Sequence, residues 1–312
     1  ATQVIAISFA AVIFCGALLL MLPFASVSGE SCGFMTALFT ATSATCVTGL
    51  IVVDTGTYWS AFGQAVILML IQIGGMGVVT VAAAVTIVSG RKIGLMQRST
   101  MQEAVAAPKM RGIVRLTGFI IRSTILIELS GAVLLAPVFC KDFGPVRGLW
   151  MALFHSISAF CNAGIDLMGI RVPFSSLTSY AANPLINLII MVLIITGGIG
   201  FLTWEDIRSN QLHFSRYRMQ SKVILTTTAI LILFPAIYFY FGEFRQGSLG
   251  TRILLSLFQS VTPRTAGFNT ADFSKLSESG QMLTIILMLI GGSPGSTAGG
   301  IKTTTMAVLV AG

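Results

Sequence analysis

The chain has 312 residues, of which 54% are hydrophobic and only 10% are charged, and its mean hydropathy is +0.88. Soluble domains carry about 25% charged residues, so this composition excludes a soluble enzyme domain, a disordered chain and a collagen-like fibre. The net charge of +8 would suit nucleic-acid binding only on a water-soluble body with a basic face. In a membrane protein, a positive excess marks cytoplasmic loops. We therefore expect an integral membrane protein.

Five apolar runs are long enough to cross a bilayer, because a spanning helix needs about 20 apolar residues. They lie at 4–22, 61–88, 113–139, 185–203 and 222–242. A sixth run begins near residue 281 and is interrupted by GGSPGSTAGG. Backbone polar groups cannot remain unpaired in lipid, so all of these runs should be helices. The predicted fold class is an all-α integral membrane protein.

Basic residues predict the orientation in the membrane. The stretch 91–122 holds seven Lys and Arg against one acidic residue, and 204–222 holds four against two. The stretch 24–58 has no Lys or Arg, as expected for an external loop. By the positive-inside rule, the N-terminus and the loops at 91–112 and 204–222 face the cytoplasm of a multi-pass cell-membrane protein.

The chain contains an internal repeat. GALLLMLPF at 16–24 matches GAVLLAPVF at 131–139, and each is followed by a segment that runs from a phenylalanine to a glycine. That spacing is ten residues in the first two copies, where Ser43 aligns with Ser158, and nine in a third copy that ends at Gly267. An apolar helix with a glycine pair follows each copy, and such pairs usually permit close helix packing.

The segment before each glycine predicts a re-entrant half-helix. The runs 34–43, 150–159 and 253–261 have the length of two to three helical turns. The glycine-containing residues should then return outward, and irregular backbone at that depth must line a water-filled path or be buried in protein. A ring of backbone carbonyls can replace the hydration shell of a cation. Taken singly, TCVTG, CNAG and TAG read as ordinary external turns; their threefold recurrence favours a filter.

Residues 291–303 (GGSPGSTAGGIKT) cannot continue a helix, because Pro294 and five glycines oppose it. We expect a loop inside the membrane, with Lys302 as a functional intramembrane charge. A phosphate-binding loop would need Lys where Ile301 stands and a preceding strand. A plain cytoplasmic loop is the other alternative.

Other polar residues receive simpler interpretations. Arg264 should pair with an acidic residue near the pore mouth, since a buried arginine needs a partner. Asp54 and Asp166 either concentrate cations outside the filter or are solvated loop residues. Glu128 and His155 are expected to be structural. The five cysteines show no CxxC pair or metal-ligand spacing, and no catalytic set is visible, so we expect no enzyme activity.

At these motifs the sequence resembles the Trk/Ktr/HKT superfamily of potassium transporters, and most closely its Ktr-type membrane subunits. The resemblance covers essentially the whole chain. It rests on SATCVTGL (43–50), IQIGGMG (71–77), FHSISAFCNAG (154–164), TGGIGF (196–201), TPRTAGFN (262–269) and GSTAGGIKTTT (295–305). It implies helix–P-loop–helix repeats around a pseudo-fourfold pore, with repeats at 1–90, 91–210 and 211–312. A fourth repeat is missing from the given sequence, so we expect that sequence to be incomplete.

The resemblance also implies the site residues. The potassium filter would comprise Thr45, Cys46, Val47, Thr48 and Gly49, then Cys161, Asn162, Ala163 and Gly164, then Thr265, Ala266 and Gly267. The gate loop would comprise Gly291, Gly292, Ser293, Pro294, Gly295, Gly299, Gly300 and Lys302, with Lys302 as a positive barrier to cations. A glycine in every filter resembles the potassium-selective members, whereas a serine in the first marks sodium-preferring ones. No metal other than potassium is implied.

The implied activity is potassium uptake by symport, and the resemblance leaves sodium coupling open. The implied assembly is a homodimer in membrane lipid, on a cytoplasmic nucleotide-binding regulatory ring (KtrA-like), with ATP or ADP bound only to that ring and no nucleic acid. A secondary transporter with a midplane substrate site would instead have inverted repeats, whereas these copies run in one direction. A purely structural scaffold leaves the repeated glycine loops unexplained.

Overall fold

The computed structural model describes residues 2–88, 94–105, 112–211 and 213–311. Every regular element in those ranges is helical, apart from the isolated bridges Ser26–Trp59 and Ile290–Ile301. The α-helices are α1 Thr2–Leu20, α2 Phe34–Thr45, α3 Thr55–Tyr58, α4 Ala61–Met76, α5 Val78–Val88, α6 Leu95–Val105, α7 Ile113–Phe143, α8 Pro145–Phe160, α9 Pro184–Gly198, α10 Phe201–Asn210, α11 Met219–Gly242, α12 Leu249–Val261, α13 Glu278–Leu289 and α14 Thr303–Ala311. Short 3₁₀ turns lie at Pro23–Ala25, Met168–Ile170, Thr178–Tyr180, Phe214–Arg216 and Phe273–Lys275.

Three helices of the described ranges have the length and composition of membrane spans, namely Gln3–Leu20, Ile113–Phe143 and Met219–Gly242. Two bent helix pairs raise the number of candidate spans to five. Apolar side chains such as Leu126 and Phe234 are 70% and 71% exposed on these helices. Large exposed apolar surfaces of this kind mark contact with a membrane or with another protein, and the length of these apolar helices favours a membrane. The prediction of an all-α integral membrane protein is confirmed.

The runs 61–88 and 185–203 are not the continuous helices that hydropathy predicted. The chain bends by 96° between α4 and α5 and by 98° between α9 and α10. Gly77 at the first bend has a φ of 81°, and Gly200 at the second has a φ of 90°. Glycine alone adopts such values without a Cβ penalty, so the apolar sequence continues while the helix axis turns.

In each third of the chain one helix of 12 to 16 residues packs against helices that come before and after it, and we call α2, α8 and α12 the short helices. Helix α2 contacts α1 and α4, α8 contacts α7 and α9, and α12 contacts α11 and α13. The thirds follow one another in space, since α4 also contacts α8 and α9 also contacts α12. The residues that follow the short helices come together, because Gly49 lies against Ala163 and Gly164 lies against Ala266. The repeat boundaries at 1–90, 91–210 and 211–312 stay predictions, and the loop at 91–112 lies partly outside the described residues.

The predicted role of the glycine pairs agrees with the packing. A Cβ atom on Gly74 would lie 1.9 Å from the Thr45 carbonyl oxygen, and one on Gly197 would lie 1.9 Å from the Phe160 carbonyl oxygen. These glycines allow α4 and α9 to touch the backbone at the ends of α2 and α8. Any larger side chain would push the short helices away from their supports.

Candidate functional site

The three short helices end in the same hydrogen-bonded hairpin, which we call a glycine segment: segment 1 is 45–49, segment 2 is 161–164 and segment 3 is 265–267. In each, a hydroxyl at the end of the helix donates to the carbonyl of the residue after the last glycine. The bonds run from Ser43 Oγ to the Leu50 carbonyl (2.6 Å), from Ser158 Oγ to the Ile165 carbonyl (2.6 Å) and from Thr262 Oγ1 to the Phe268 carbonyl. Sequence reasoning aligned the two serines but gave them no role. The sequence feature that could have revealed this role is a hydroxyl residue that recurs at the same position of the repeat.

The backbone of the glycine segments alternates in handedness. Positive φ occurs at the last glycine and two residues before it, with negative φ between them. The values are 55° and 80° at Val47 and Gly49, 57° and 65° at Asn162 and Gly164, and 69° and 88° at Thr265 and Gly267. Positive φ is costly for the β-branched Val47 and Thr265. Alternating signs of φ turn successive carbonyls to the same side of the chain, as a carbonyl-lined path requires.

The three glycine segments approach one another closely. A Cβ atom on Gly49 would lie 2.5 Å from the Ala163 carbonyl oxygen, and one on Gly164 would lie 2.1 Å from the Ala266 carbonyl oxygen. Segment 2 is entirely buried between its neighbours, whereas Cys46, Thr48 and Gly267 keep exposed surface. The structure thus brings all three predicted filter sequences to one place.

A polar cluster lies behind segment 2. The carboxylate of Glu128 on α7 accepts a hydrogen bond from Gln72 Nε2 on α4 (3.1 Å) and a long one from Cys161 Sγ (3.8 Å). The Ser156 hydroxyl donates to the Glu128 backbone carbonyl at 2.6 Å. The structural pairing expected for Glu128 is therefore with an amide and a thiol. It connects helices of two neighbouring thirds of the chain directly behind the glycine segment.

The interrupted helix forms a loop that is bonded to the second bent helix pair. Ser293 N–H donates to the Gly198 carbonyl at 2.9 Å, and Phe201 N–H donates to the Gly295 carbonyl at 2.8 Å. The Thr297 hydroxyl donates to the Phe160 carbonyl at 2.9 Å. Within the loop, Gly291 and Gly292 donate to the Ile301 and Gly299 carbonyls. Pro294 and the glycines thus make an ordered loop with its own backbone pairing.

This loop lies next to glycine segment 3. A Cβ atom on Gly300 would lie 3.6 Å from Thr265 Cγ2. Lys302 is half-buried, and its ammonium group donates to the Ala298 carbonyl at 2.8 Å. The lysine therefore holds the loop, two residues after the Gly300 that lies beside glycine segment 3.

Arg264 is buried, with 7% of its surface exposed, and its Nε has no hydrogen-bond partner. It faces a crevice formed by residues that include Ile194, Gly198 and Gly292. All eleven acidic residues lie in the described ranges, and none of them forms an ion pair with Arg264. The acidic partner predicted for Arg264 is thus not found in the described part of this chain.

Asp54 is not the solvated loop residue of the second alternative. It is buried, and its Oδ1 accepts hydrogen bonds from the N–H groups of Gly56 and Thr57 and from the Thr57 hydroxyl, at 3.0 to 3.1 Å. Its Oδ2 accepts from the Phe174 N–H at 2.9 Å. Asp54 therefore caps α3 and connects it to the loop that follows segment 2.

Asp166 lies near Asp54, in the loop after segment 2. Burial raises the pKa of Asp166 to about 6, the Met168 N–H and the Ser176 hydroxyl lower it, and the Asp54 carboxylate raises it. The same Ser176 hydroxyl oxygen accepts a hydrogen bond from Asn269 N–H at 3.1 Å. The two aspartates thus belong to a polar network that connects loops from all three thirds of the chain.

His155 is fully buried, and its Nδ1 lies 2.7 Å from the Met151 carbonyl oxygen. Its ring packs between Phe139 and Phe268. No group of three or more His, Cys, Asp and Glu side chains within the described ranges is arranged to hold a metal ion. A structural role for His155 agrees with this environment.

Comparison with known proteins finds cation transport proteins along the whole length of the chain. A family model described as "TrkH: Cation transport protein" matches residues 1–312. The chain is 41% identical to the potassium/sodium uptake protein NtpJ of Enterococcus hirae, over 99% of this chain and 68% of the relative. It is 43% identical to the Ktr system potassium uptake protein B of Bacillus subtilis, over 99% of this chain and 69% of the relative.

A solved structure has a similar fold. The crystal structure of the potassium transporter TrkH from Vibrio parahaemolyticus matches with a TM-score of 0.69, over 97% of this chain. Sequence identity to it is 20%, so this likeness concerns the fold alone. The chain spans 60% of the length of that structure.

Proposed function

Because this chain belongs to the TrkH family of cation transport proteins, we propose that it carries potassium ions into the cell along a path lined by its glycine segments. The family confirms the expectation of a transport protein rather than an enzyme. The observation that carries the proposal is the triple occurrence of one costly backbone conformation, with segment 2 in close contact with both segment 1 and segment 3. Strained backbone of this kind persists where function requires it.

Backbone carbonyls suit a large monovalent cation. Their partial charges replace water around the ion without the strong binding that a fixed carboxylate would impose. In this account the ion contacts carbonyls of segments 1, 2 and 3, and the residues predicted for the filter are those at 45–49, 161–164 and 265–267. The hydroxyls of Ser43, Ser158 and Thr262 hold the returning chain in place. Relatives named for potassium uptake support this choice of ion.

The loop at 291–303 is proposed as the gate. Its position next to Thr265 and its hydrogen bonds to Gly198 and Phe160 support this role, because movement of the bent helix pair would move the loop. The charge of Lys302 would oppose the passage of a cation while the loop is in place.

The remaining parts of the proposal concern the assembly and the second ion. The name of the Enterococcus hirae relative includes sodium, which supports sodium as a candidate second ion in a symport. The Ktr system names of other relatives support a multi-component assembly. We propose a homodimer with a KtrA-like cytoplasmic ring that binds ATP or ADP, with the N-terminus and the loops at 91–112 and 204–222 on that side.

The proposal is tested by transport itself. The intact protein should restore growth at low potassium to cells that lack potassium uptake, and in proteoliposomes it should carry rubidium, a potassium substitute, faster than sodium. If the protein fails to restore growth at low potassium and instead shows saturable uptake of an organic solute, the result would support a secondary transporter with a midplane substrate site.

A further inference from the structure

A groove on the lipid-facing side of α7 contains three arginines and lies outside the proposed ion path. It has a volume of about 880 Å³, and its lining includes Arg115, Arg122, Phe119 and Leu126 from α7 and Arg208 from α10. Arg115 and Arg122 are seven residues apart and therefore share one face of the helix. Gly118 lies between them, and a Cβ atom there would meet nothing within 4 Å. The missing side chain at Gly118 keeps the groove open.

The three guanidinium groups have no acidic partner. All eleven acidic residues are within the described ranges, and their ion pairs involve only Arg171, Arg218 and Lys275. The Arg208 guanidinium lies over the Phe119 ring, 5.0 Å from its centroid, which fixes one side of the groove. Three exposed and unpaired arginines around one groove are complementary to a phosphate group, because the planar guanidinium donates two parallel hydrogen bonds.

The depth of the groove distinguishes a lipid from a soluble anion. Arg122 is nineteen residues from the exposed Lys141 at the outer end of α7, and a helix of that length spans about 28 Å. The hydrocarbon layer is about 30 Å thick, so in the proposed orientation a Lys141 at the outer boundary would place Arg122 at the inner boundary. Leu126, which is 70% exposed, is one turn deeper in the hydrocarbon. A free phosphate makes no use of this apolar end, whereas an acyl chain covers it.

We propose that the groove formed by Arg115, Gly118, Phe119, Arg122, Leu126 and Arg208 binds an anionic phospholipid of the inner leaflet. The phosphate contacts the arginines, and an acyl chain lies along Phe119 and Leu126. Basic pockets between membrane helices on the cytoplasmic side bind anionic lipid headgroups in this way. The site goes beyond the proposed transport function, although it assumes the proposed orientation in the membrane.

The test counts bound lipid on the intact protein. The protein is placed in nanodiscs of phosphatidylcholine with or without phosphatidylglycerol, and native mass spectrometry measures the phosphatidylglycerol that it retains. In the double variant R115Q/R122Q, we expect the preference for phosphatidylglycerol over phosphatidylcholine to fall about fivefold for each arginine removed. The matched control R98Q/R216Q removes two exposed arginines from the same predicted side, outside the groove, and should keep the preference. Equal losses in both variants would overturn the proposal.

A second variant tests the shape of the groove without changing its charge. Gly118→Leu fills the open space and favours the helix, so it should fold and yet retain less phosphatidylglycerol than the unchanged protein. Unchanged retention in this variant would contradict the site. Displacement of the bound lipid by excess inorganic phosphate would show a soluble anion site and overturn the choice of a lipid. The assay measures binding rather than transport, so its outcome is independent of the ion path.

Discussion

Gly49 stands directly against the carbonyl of Ala163: a Cβ atom on Gly49 would lie 2.5 Å from the Ala163 carbonyl oxygen. Gly49 also has a φ of 80°, a value that residues with a Cβ rarely adopt. The first glycine segment therefore reaches the second only because residue 49 has no side chain. This contact determines how the carbonyls of neighbouring segments are spaced.

Replacing Gly49 should damage ion selectivity. In Gly49→Ser, the positive φ costs about 1–2 kcal/mol, and the side chain must displace the Ala163 carbonyl. We expect the preference for potassium over sodium to fall about tenfold, the factor that corresponds to 1.4 kcal/mol. Competition between rubidium and sodium in proteoliposomes measures this preference.

Two further serine variants serve as comparisons for the Gly49 result. Gly267→Ser should reduce selectivity less, because its Cβ would meet only Gly164 Cα, at 3.5 Å. Gly33→Ser should leave selectivity unchanged, since Gly33 has a φ of −61° and open space around it. Unchanged selectivity in both Gly49→Ser and Gly267→Ser would rule out the filter assignment.

The Thr262 hydroxyl should matter for selectivity beyond its effect on stability. Thr262→Val keeps the shape of the side chain but leaves the Phe268 carbonyl without its donor, at a cost of about 1–3 kcal/mol. Thr262→Ser keeps the hydroxyl and loses only a methyl group. We expect both variants to lower the melting temperature, and only Thr262→Val to lower the preference for potassium. Equal selectivity in the two variants would assign the hydroxyl a purely structural role.

The charge of Lys302 and its hydrogen bond can be separated. Lys302→Gln removes the charge and keeps a donor for the Ala298 carbonyl, whereas Lys302→Met removes both. If the charge opposes cations, rubidium flux should rise in both variants. A rise confined to Lys302→Met would show that only the bond to the loop matters.

Removal of the loop gives a coarser test of gating. Deletion of residues 293–300 takes away the bonds from Ser293 and Thr297 to the Gly198 and Phe160 carbonyls. Flux through the deletion variant should exceed that of the unchanged protein. A lower or equal flux in a well-folded deletion variant contradicts a gate at this place.

The buried Asp166 predicts a dependence of stability on pH. Its pKa is raised from 3.8 to about 6, chiefly by burial, so the folded protein binds its proton more tightly than the unfolded chain. The contribution of this group to stability is therefore fully present below about pH 4 and is lost as the pH rises to about 6. Thermal unfolding in detergent between these pH values should show this loss. Asp166→Asn should remove that part of the pH dependence, and an identical dependence in the variant would contradict the assignment.

Part of this molecule could be predicted from sequence because its signals are local and repeated. The spacing from a phenylalanine to a glycine, ten residues in two copies and nine in the third, predicted three equivalent segments, and Pro294 with its glycines predicted an interrupted helix. Hydropathy could not show the bends at Gly77 and Gly200, because the apolar residues continue through them. Each is the third glycine of its motif, and its positive φ is visible only in the backbone.

Contacts between distant residues were not predictable. The hydrogen bond of Asp54 to Phe174 joins residues 120 positions apart, and that of Glu128 to Gln72 joins residues 56 apart. A single sequence shows that these side chains are polar and interrupt apolar surroundings. It does not show which helices meet, and this decides whether a carboxylate faces a cation, an amide or the backbone.

The most direct test of the central claim is to locate the transported ion. Crystals of the intact protein grown with rubidium should give an anomalous scattering peak between the backbone carbonyls of glycine segments 1, 2 and 3, within coordination distance of residues such as Ala163 and Ala266. Replacement of rubidium by potassium should remove the anomalous signal and leave ordinary density at the same place. A peak elsewhere in the protein, or none beside these carbonyls at saturating rubidium, would contradict the account.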